Sequence, residues 1–227
     1  MQALELRQRL LGEDHPDTAQ SLNNLGFLYS YQGRYSEAEL LLVQAVEQRK
    51  RLLGEDHPDV AQSLNNLGSL YQEQGRYGKA EPLLLKALKL KKRLLGEDHP
   101  DVALCLNNLG GFYNEQKRYS EAESLYVQAL KLRKRLLGED HFYVANSLHN
   151  LASLYCSKGF YKEAQPLFEQ ALTIFHQQLG STHHWTVYCR EGLAMVRDRL
   201  KSTARDLPNF NQKAKKSNSK KKSKGFG

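Results

Sequence analysis

A triplet of two acidic side chains and one imidazole recurs four times in this sequence. Glu-Asp-His stands at residues 13–15, 55–57, 97–99 and 139–141. Carboxylates and histidines in such a group could bind a metal ion or exchange protons with a substrate. Each copy, however, lies just ahead of a helix-forming segment and one whole repeat away from the next copy. We therefore interpret the triplets as turn and helix-capping sequences.

Other reactive side chains are isolated. Cys105, Cys156 and Cys189 are odd in number and form no C-x-x-C pair, which argues against a disulfide framework or a zinc site and fits a reduced, cytoplasmic setting. His183-His184 lacks a third ligand nearby, and no phosphate-binding glycine motif or H-E-x-x-H is present. We therefore expect a protein that is not an enzyme and that has no metal and no cofactor.

The strongest signal is a repeat with a constant interval of 42 residues. The same phrase, Arg-Leu-Leu-Gly in its first four copies, ends on Gly12, Gly54, Gly96, Gly138 and Gly180. A fixed period of this size indicates stacked supersecondary units. No run of 18 apolar residues occurs, so we expect no membrane span.

Each unit is predicted to contain two helices. In the second unit, the first helix covers Pro58 to Gln74 and ends at a left-handed Gly75; the second covers Tyr77 to Leu95 and stops at a left-handed Gly96. In two other units we expect the second helix to start with a capping box, formed by Ser36 with Glu39 and by Ser120 with Glu123. No alternating strand pattern appears, so the predicted fold class is all-α.

The packing positions resemble the tetratricopeptide repeat. Leu67-Gly68-x-x-Tyr71, followed by Ala80, Leu84 and Ala87, is similar to that family's signature, and the 42-residue period with Leu-Asn-Asn-Leu resembles the kinesin light chain subclass. The resemblance implies an α-solenoid of stacked antiparallel helix pairs, coiled as a right-handed superhelix. The predicted division is a partial helix at 1–12, repeats at 13–54, 55–96, 97–138 and 139–180, a capping helix at 181–203 and a disordered basic tail at 204–227.

In such an array the first helices line a concave groove. Side chains opposite the packing stripe are candidates for peptide contact, because an amide offers both a donor and an acceptor to an extended backbone. These are Asn23, Asn24, Phe27, Gln62, Asn65, Asn66, Ser69, Asn107, Asn108, Asn146, His149 and Asn150. Related arrays often use the second of the two adjacent asparagines, here Asn24, Asn66, Asn108 and Asn150. The alternative is that the amides bond between adjacent helices and fix the stacking.

Charge is distributed unevenly. Residues 201–227 hold nine Lys/Arg against one Asp, so the net charge of +8 resides in the tail and residues 1–200 are neutral. The tail could contact nucleic acid, an acidic partner or an anionic membrane surface, or it could serve solubility alone. Within the repeats, four arginines either line the groove rim and favour an acidic ligand or complement helix dipoles: Arg9, Arg51, Arg93 and Arg135.

The leading hypothesis is a non-catalytic scaffold that binds a protein or peptide in the groove. Alternatives are the sensor part of a larger regulatory protein, a kinesin light chain-like cargo adaptor, and nucleic-acid association through the tail. The adaptor role would require a heptad coiled coil, which this sequence does not contain. Residues 1–11 align with half a repeat, and end-to-end self-association through them is a further expectation.

Overall fold

The computed structural model describes residues 2–206, and the side chains of residues 2–203. This part of the chain is folded as ten α-helices: α1 Gln2–Leu11, α2 Pro16–Tyr31, α3 Tyr35–Leu53, α4 Pro58–Glu73, α5 Tyr77–Leu95, α6 Pro100–Glu115, α7 Tyr119–Leu137, α8 Phe142–Ser157, α9 Tyr161–Leu179 and α10 His184–Asp206. The all-α prediction is confirmed. The tail predicted to be disordered lies largely outside the described residues, and the exact repeat boundaries stay a prediction. The predicted cap helix corresponds to α10.

The Glu-Asp-His triplets end in helix caps, as expected. His57 precedes α4 in extended conformation, and its Nδ1 accepts a hydrogen bond from the backbone N–H of Asp59 at 3.1 Å. Pro58 occupies the first helical position, where a missing N–H costs no hydrogen bond. His15, His99 and His141 cap their helices in the same way.

The helix ends use glycine in two different ways. After α4, Gly75 has φ +70°, and the N–H of Arg76 bonds to the carbonyl of Tyr71 at 2.8 Å, which is a Schellman motif. After α5, Gly96 also has positive φ, +82°, as predicted, but its ψ is 165°. Gly96 is therefore not in the left-handed helical region; it occupies a region essentially restricted to glycine and turns the chain into an extended loop.

The predicted capping boxes are wrong. Helix α3 begins at Tyr35, ahead of Ser36, and Arg34 at the N-cap position makes no side-chain cap. Glu39 instead faces the next repeat, where it accepts hydrogen bonds from Tyr71 and Arg76. Glu123 does the same with Tyr155 and Lys158, so a tertiary contact replaces the local one in both places.

Packing within each pair combines small and large residues. Gly68 of α4 lies against Leu84 of α5 so closely that a methyl group on Gly68 would stand 2.9 Å from Leu84 Cγ. Consecutive first helices (α2, α4, α6, α8 and α10) contact one another, whereas consecutive second helices do not. The stack therefore curves with the first helices inside, and we call the surface formed by α2, α4, α6 and α8 the inner wall. Within residues 2–206, no helix is long and apolar enough to cross a membrane.

Candidate functional site

The inner wall presents the candidate asparagines at two depths. The first of each adjacent pair is buried in three of the four repeats: Asn23 is 1% exposed, Asn65 is 3% exposed and their counterpart His149 is 4% exposed. The second of each pair is half-buried or exposed. The accessible amides of the wall are therefore mainly those of Asn24, Asn66, Asn108 and Asn150, while Asn23 and Asn65 contribute to the joints between helices.

We call each interface between two consecutive first helices a joint. At two joints, an asparagine of one helix forms a hydrogen bond with an asparagine of the next helix. Asn66 Nδ2 donates to Asn23 Oδ1 at 3.1 Å across the α2–α4 joint, and Asn150 Nδ2 donates to Asn107 Oδ1 at 2.9 Å across the α6–α8 joint. Ser63 adds a second donor to Asn23 Oδ1 at 3.1 Å. These contacts show that part of the asparagine pattern fixes the stacking of the helices.

The joint between α4 and α6 has no such asparagine–asparagine hydrogen bond among the described residues. Asn65 Oδ1 is buried and has no hydrogen-bond partner among the described residues. Cys105 stands where Ser63 stands in the preceding repeat, and a thiol is only a weak donor. Asn108, the counterpart of Asn66, makes no recorded side-chain hydrogen bond within residues 2–203. Its amide is therefore available to a ligand, which distinguishes Asn108 from Asn66 and Asn150.

The sequence analysis did not predict a second set of polar contacts, in which a buried arginine bonds to the next helix. Arg49 of α3 is 1% exposed, and its guanidinium donates to Ser63 Oγ at 2.7 Å and to the carbonyl of Asp59 at 2.8 Å. Arg133 of α7 repeats the arrangement with Ser147 at 2.7 Å, and burial lowers the pKa of Arg133 to about 10. The sequence signal that could have indicated these contacts is an arginine that recurs 14 residues before a serine.

These buried arginines also contact polar side chains of the first helices, and one of these, Asn146, is a candidate groove residue. Arg49 donates to the side chain of Gln20, and Arg133 donates to Asn146 Oδ1 at 3.1 Å. Asn146 is therefore held in place by the scaffold. In the second repeat, Lys91 of α5 replaces the arginine and pairs with Asp101 of the third repeat at 2.6 Å.

The rim arginines are paired within the chain. Arg51 contacts Asp14, Arg93 contacts Asp56 and Arg135 contacts Asp98, each time between the end of a second helix and the loop of the preceding Glu-Asp-His triplet. Arg9 lies in the last turn of α1. Because Arg51, Arg93 and Arg135 are neutralised by aspartates, they add little positive charge to the rim.

The inner wall itself is acidic. None of the segments 16–31, 58–73, 100–115 and 142–157 contains a lysine or an arginine, whereas together they contain five carboxylates. Glu73 and Glu115 lie at the carboxyl ends of α4 and α6, and neither forms an ion pair within the described residues. Ser30 donates a hydrogen bond to Glu73 at 2.6 Å. The charge of the wall therefore favours cationic over anionic ligands.

The N-terminal part of the wall is aromatic. Phe27 is 42% exposed and packs edge to face on Tyr31, which is 73% exposed, with 4.9 Å between ring centroids. Leu28 beside them is 50% exposed, although its counterpart Leu70 is fully buried by the preceding repeat. Ser69, by contrast, is half-buried, and Gln62 lies beside it on the wall. The wall thus offers an apolar contact at α2 and polar contacts at α4 and α6.

Potentially reactive side chains are isolated from one another within the described part of the chain. No group of three or more His, Cys, Asp or Glu side chains within residues 2–203 could hold a metal ion. Burial raises the pKa values of Cys105 and Cys189 to about 12, so both thiols are poor nucleophiles near neutral pH.

Comparison with known proteins agrees with this geometry. Models of the tetratricopeptide repeat match residues 41–93, 59–135, 106–158 and 143–205, and a second model of the repeat matches residues 1–17 and 18–59. No curated protein sequence gives a significant match.

Among solved structures, one of a Podosopora anserina kinesin light chain protein with nearly identical TPR-like repeats is 27% identical, covers 83% of this chain and 89% of its own, and has a TM-score of 0.68. BtubC (BKLC) from P. vanneervenii is 24% identical, covers 100% of this chain and 90% of its own, and has a TM-score of 0.75, which shows a shared fold. The chain belongs to the tetratricopeptide repeat family, and its repeats are of the kinesin light chain-like type.

Proposed function

We propose that this protein is a non-catalytic scaffold that binds an extended segment of another protein along the inner wall. The observation that carries the proposal is Asn108, whose side chain is half-buried and makes no hydrogen bond within the described part of the chain, unlike its counterparts Asn66 and Asn150. An unpaired amide can donate to and accept from a peptide backbone at the same time. The aromatic pair Phe27–Tyr31 would supply an apolar anchor for the same ligand.

The direct test is a random-peptide library selected on the full chain. Asn108→Ala should weaken the selected peptides by about tenfold, which corresponds to about 1.4 kcal/mol. Gln170→Ala removes an exposed amide from α9, on the outer side of the array, and should leave every affinity unchanged. Equal effects of the two variants would exclude the inner wall as the binding surface.

Asn66→Ala has to be interpreted separately. It removes one of the two donors to Asn23 Oδ1, a buried acceptor, so it should reduce stability as well as affinity. Asn108→Ala breaks no hydrogen bond within residues 2–203, and an unchanged unfolding transition would show that its effect on binding is direct.

The alternatives remain distinguishable by experiment. A regulatory sensor or a kinesin light chain-like cargo adaptor would use the same wall within a larger assembly, and its natural partner would be captured more weakly by the Asn108→Ala variant than by the original chain. End-to-end self-association through residues 1–11 stays a prediction, which light scattering at increasing concentration tests. Nucleic-acid binding by the tail concerns residues outside the described part.

A further inference from the structure

A cavity of about 420 Å³ opens on the first repeat, where the loop after α1 meets the second half of α3. We call this cavity the loop pocket, and it is lined by Glu13, Asp14, Gln44, Glu47, Gln48 and Arg51. Arg51 contacts Asp14, whereas Glu13 and Glu47 form no ion pair within residues 2–203. The loop pocket therefore carries two carboxylates that no cation of the described chain neutralises.

The wall of the loop pocket includes a buried side chain without a hydrogen-bond partner. Gln48 is 7% exposed, and its Oε1 is enclosed and unpaired among the described residues. Its Nε2 makes no hydrogen bond there either, but this end of the amide is not enclosed. A half-turn of the last side-chain bond exchanges the two atoms, so Gln48 can offer an acceptor or a donor to a group in the pocket. Because an unpaired buried polar group costs about 1–3 kcal/mol, a ligand that bonds to Gln48 relieves a cost already present in the fold.

The other repeats carry different residues at the positions of Gln48 and Glu47. In the 42-residue register, the counterparts of Gln48 are buried and apolar: Leu90, Leu132 and Ile174. The counterparts of Glu47 are cationic or neutral: Lys89, Lys131 and Thr173. Of the four repeats, the first alone therefore combines a buried amide with a carboxylate at this place.

The equivalent cavity of the third repeat has the opposite character. Its volume is about 300 Å³, and Lys131 and Leu132 line it at the places of Glu47 and Gln48. Its lining holds three cationic side chains and two carboxylates, so the balance of charge is positive. The same loop and helix geometry thus forms a negative, polar pocket in one repeat and a positive, partly apolar pocket in another.

The groups of the loop pocket favour a cation that carries several donors. Carboxylates only accept hydrogen bonds, whereas an alkylammonium group has three donors and a positive charge. The aliphatic stem of Arg51 can cover the methylene groups of such a ligand. A metal ion is disfavoured, because no group of three or more His, Cys, Asp or Glu side chains within residues 2–203 could hold one. The volume of about 420 Å³ lies in the range of small-molecule sites.

We propose that the loop pocket binds a small aliphatic polyamine, whose ammonium groups pair with Glu13 and Glu47 and form a hydrogen bond with Gln48. The pocket is built from a loop and a second helix, away from the inner wall. Binding there does not depend on the proposed function.

The proposal is tested by titrating spermidine into the full chain at about 0.15 M salt, with calorimetry and with NMR of the backbone amides. We expect saturable binding of one spermidine per chain, with chemical-shift changes centred on residues 12–15 and 44–51. Gln48→Leu and Glu47→Lys place the residues of the third-repeat cavity in the loop pocket, and each should weaken binding about tenfold.

Glu163→Lys reverses an exposed glutamate on α9 and is the matched charge control. Glu47 is also exposed, and Gln48→Leu introduces the side chain that two other repeats carry, so circular dichroism should show that both variants keep the fold. Equal weakening by Glu163→Lys and Glu47→Lys would overturn the proposal, because exposed carboxylates in general would then attract spermidine. Unchanged affinity in Gln48→Leu, or shift changes confined to the inner wall, would overturn it as well. A trilysine peptide that binds more tightly than spermidine would assign the pocket to a protein ligand and refute the polyamine.

Discussion

Glu39 of α3 accepts a hydrogen bond from the hydroxyl of Tyr71 in the next repeat, with 3.0 Å between Oε1 and the hydroxyl oxygen. Arg76 also donates to Glu39 at 2.5 Å, and its guanidinium lies 4.3 Å from the centroid of the Tyr71 ring. The hydrogen bond from Arg76, followed by that from Tyr71, lowers the pKa of Glu39 despite its partial burial. The same joint recurs as Tyr113–Glu81 and Tyr155–Glu123, and at the cap Arg197 replaces the tyrosine and donates to Glu169 at 2.8 Å.

The contact between Tyr71 and Glu39 predicts that removing one hydroxyl group lowers the stability of the fold. Tyr71→Phe keeps the buried ring and removes the donor to Glu39, so the free energy of unfolding should fall by about 1 kcal/mol. Tyr77→Phe is the control, because the Tyr77 hydroxyl makes no hydrogen bond within residues 2–203. Urea unfolding compares the two variants, and equal losses would show that the Tyr71–Glu39 contact does not stabilise the stack.

The backbone conformation of Gly96 predicts that a larger residue at this position destabilises the fold. With φ +82° and ψ 165°, an alanine at this position is strained although no atom lies within 4 Å of the added methyl group. Gly96→Ala should reduce the free energy of unfolding by about 1–3 kcal/mol. Gly78→Ala also adds a methyl group in open space, but within α5, and should stabilise by about 0.5 kcal/mol. Opposite signs in thermal unfolding are expected, and a stabilised Gly96→Ala variant would contradict the assigned conformation.

The sequence was sufficient for the parts of the fold that repeat locally. Helix limits such as Tyr77–Leu95 follow from glycine, proline and apolar spacing within one unit, and the structure confirms them. The capping box at Ser36 failed because Glu39 is used by Tyr71, 32 residues later, and no local pattern records such a contact. Likewise, the sequence showed three similar asparagine pairs and a fourth position with His149–Asn150, but it did not show that the joint with Cys105 leaves Asn65 Oδ1 and the Asn108 amide without a hydrogen bond among the described residues. The differences between repeats, and therefore the candidate site, depend on contacts about 40 residues apart.

The joint between the second and third repeats carries two substitutions, and they should be energetically coupled. Where other joints pair a buried arginine with a serine of the next repeat, as in Arg49–Ser63, this joint has Lys91 and Cys105. Lys91→Arg alone places a guanidinium beside a poor acceptor, and Cys105→Ser alone supplies a hydroxyl without its donor. The double variant restores both partners, so a double-mutant cycle in urea should give a favourable coupling of about 1 kcal/mol. Cys105→Ser combined with Lys162→Arg, an exposed substitution on α9, should be additive; additivity in both cycles would contradict the prediction.

His149 predicts a loss of stability in acid. Its ring is 4% exposed, lies 5.2 Å from the ring of Phe168 and 5.0 Å from that of Tyr188, and burial lowers its pKa from 6.5 to about 4. Between these two values the unfolded chain binds a proton at His149 that the folded chain does not, so the unfolded state gains stability as pH falls. The contribution should be absent above about pH 7 and reach about 3 kcal/mol near pH 4.

His149→Asn tests this effect with the residue that the other three repeats carry at the same position, as in Asn107. Because asparagine does not titrate, the variant should lose less stability than the original chain when the pH is lowered from about 7 to about 4.5, and the difference should grow as the pH falls. His176→Asn makes the same substitution at an exposed position on α9 and is the matched control. If the original chain and His149→Asn show parallel stability curves across this range, His149 takes up its proton while the chain is folded, and its burial between α8 and α10 does not hold it neutral.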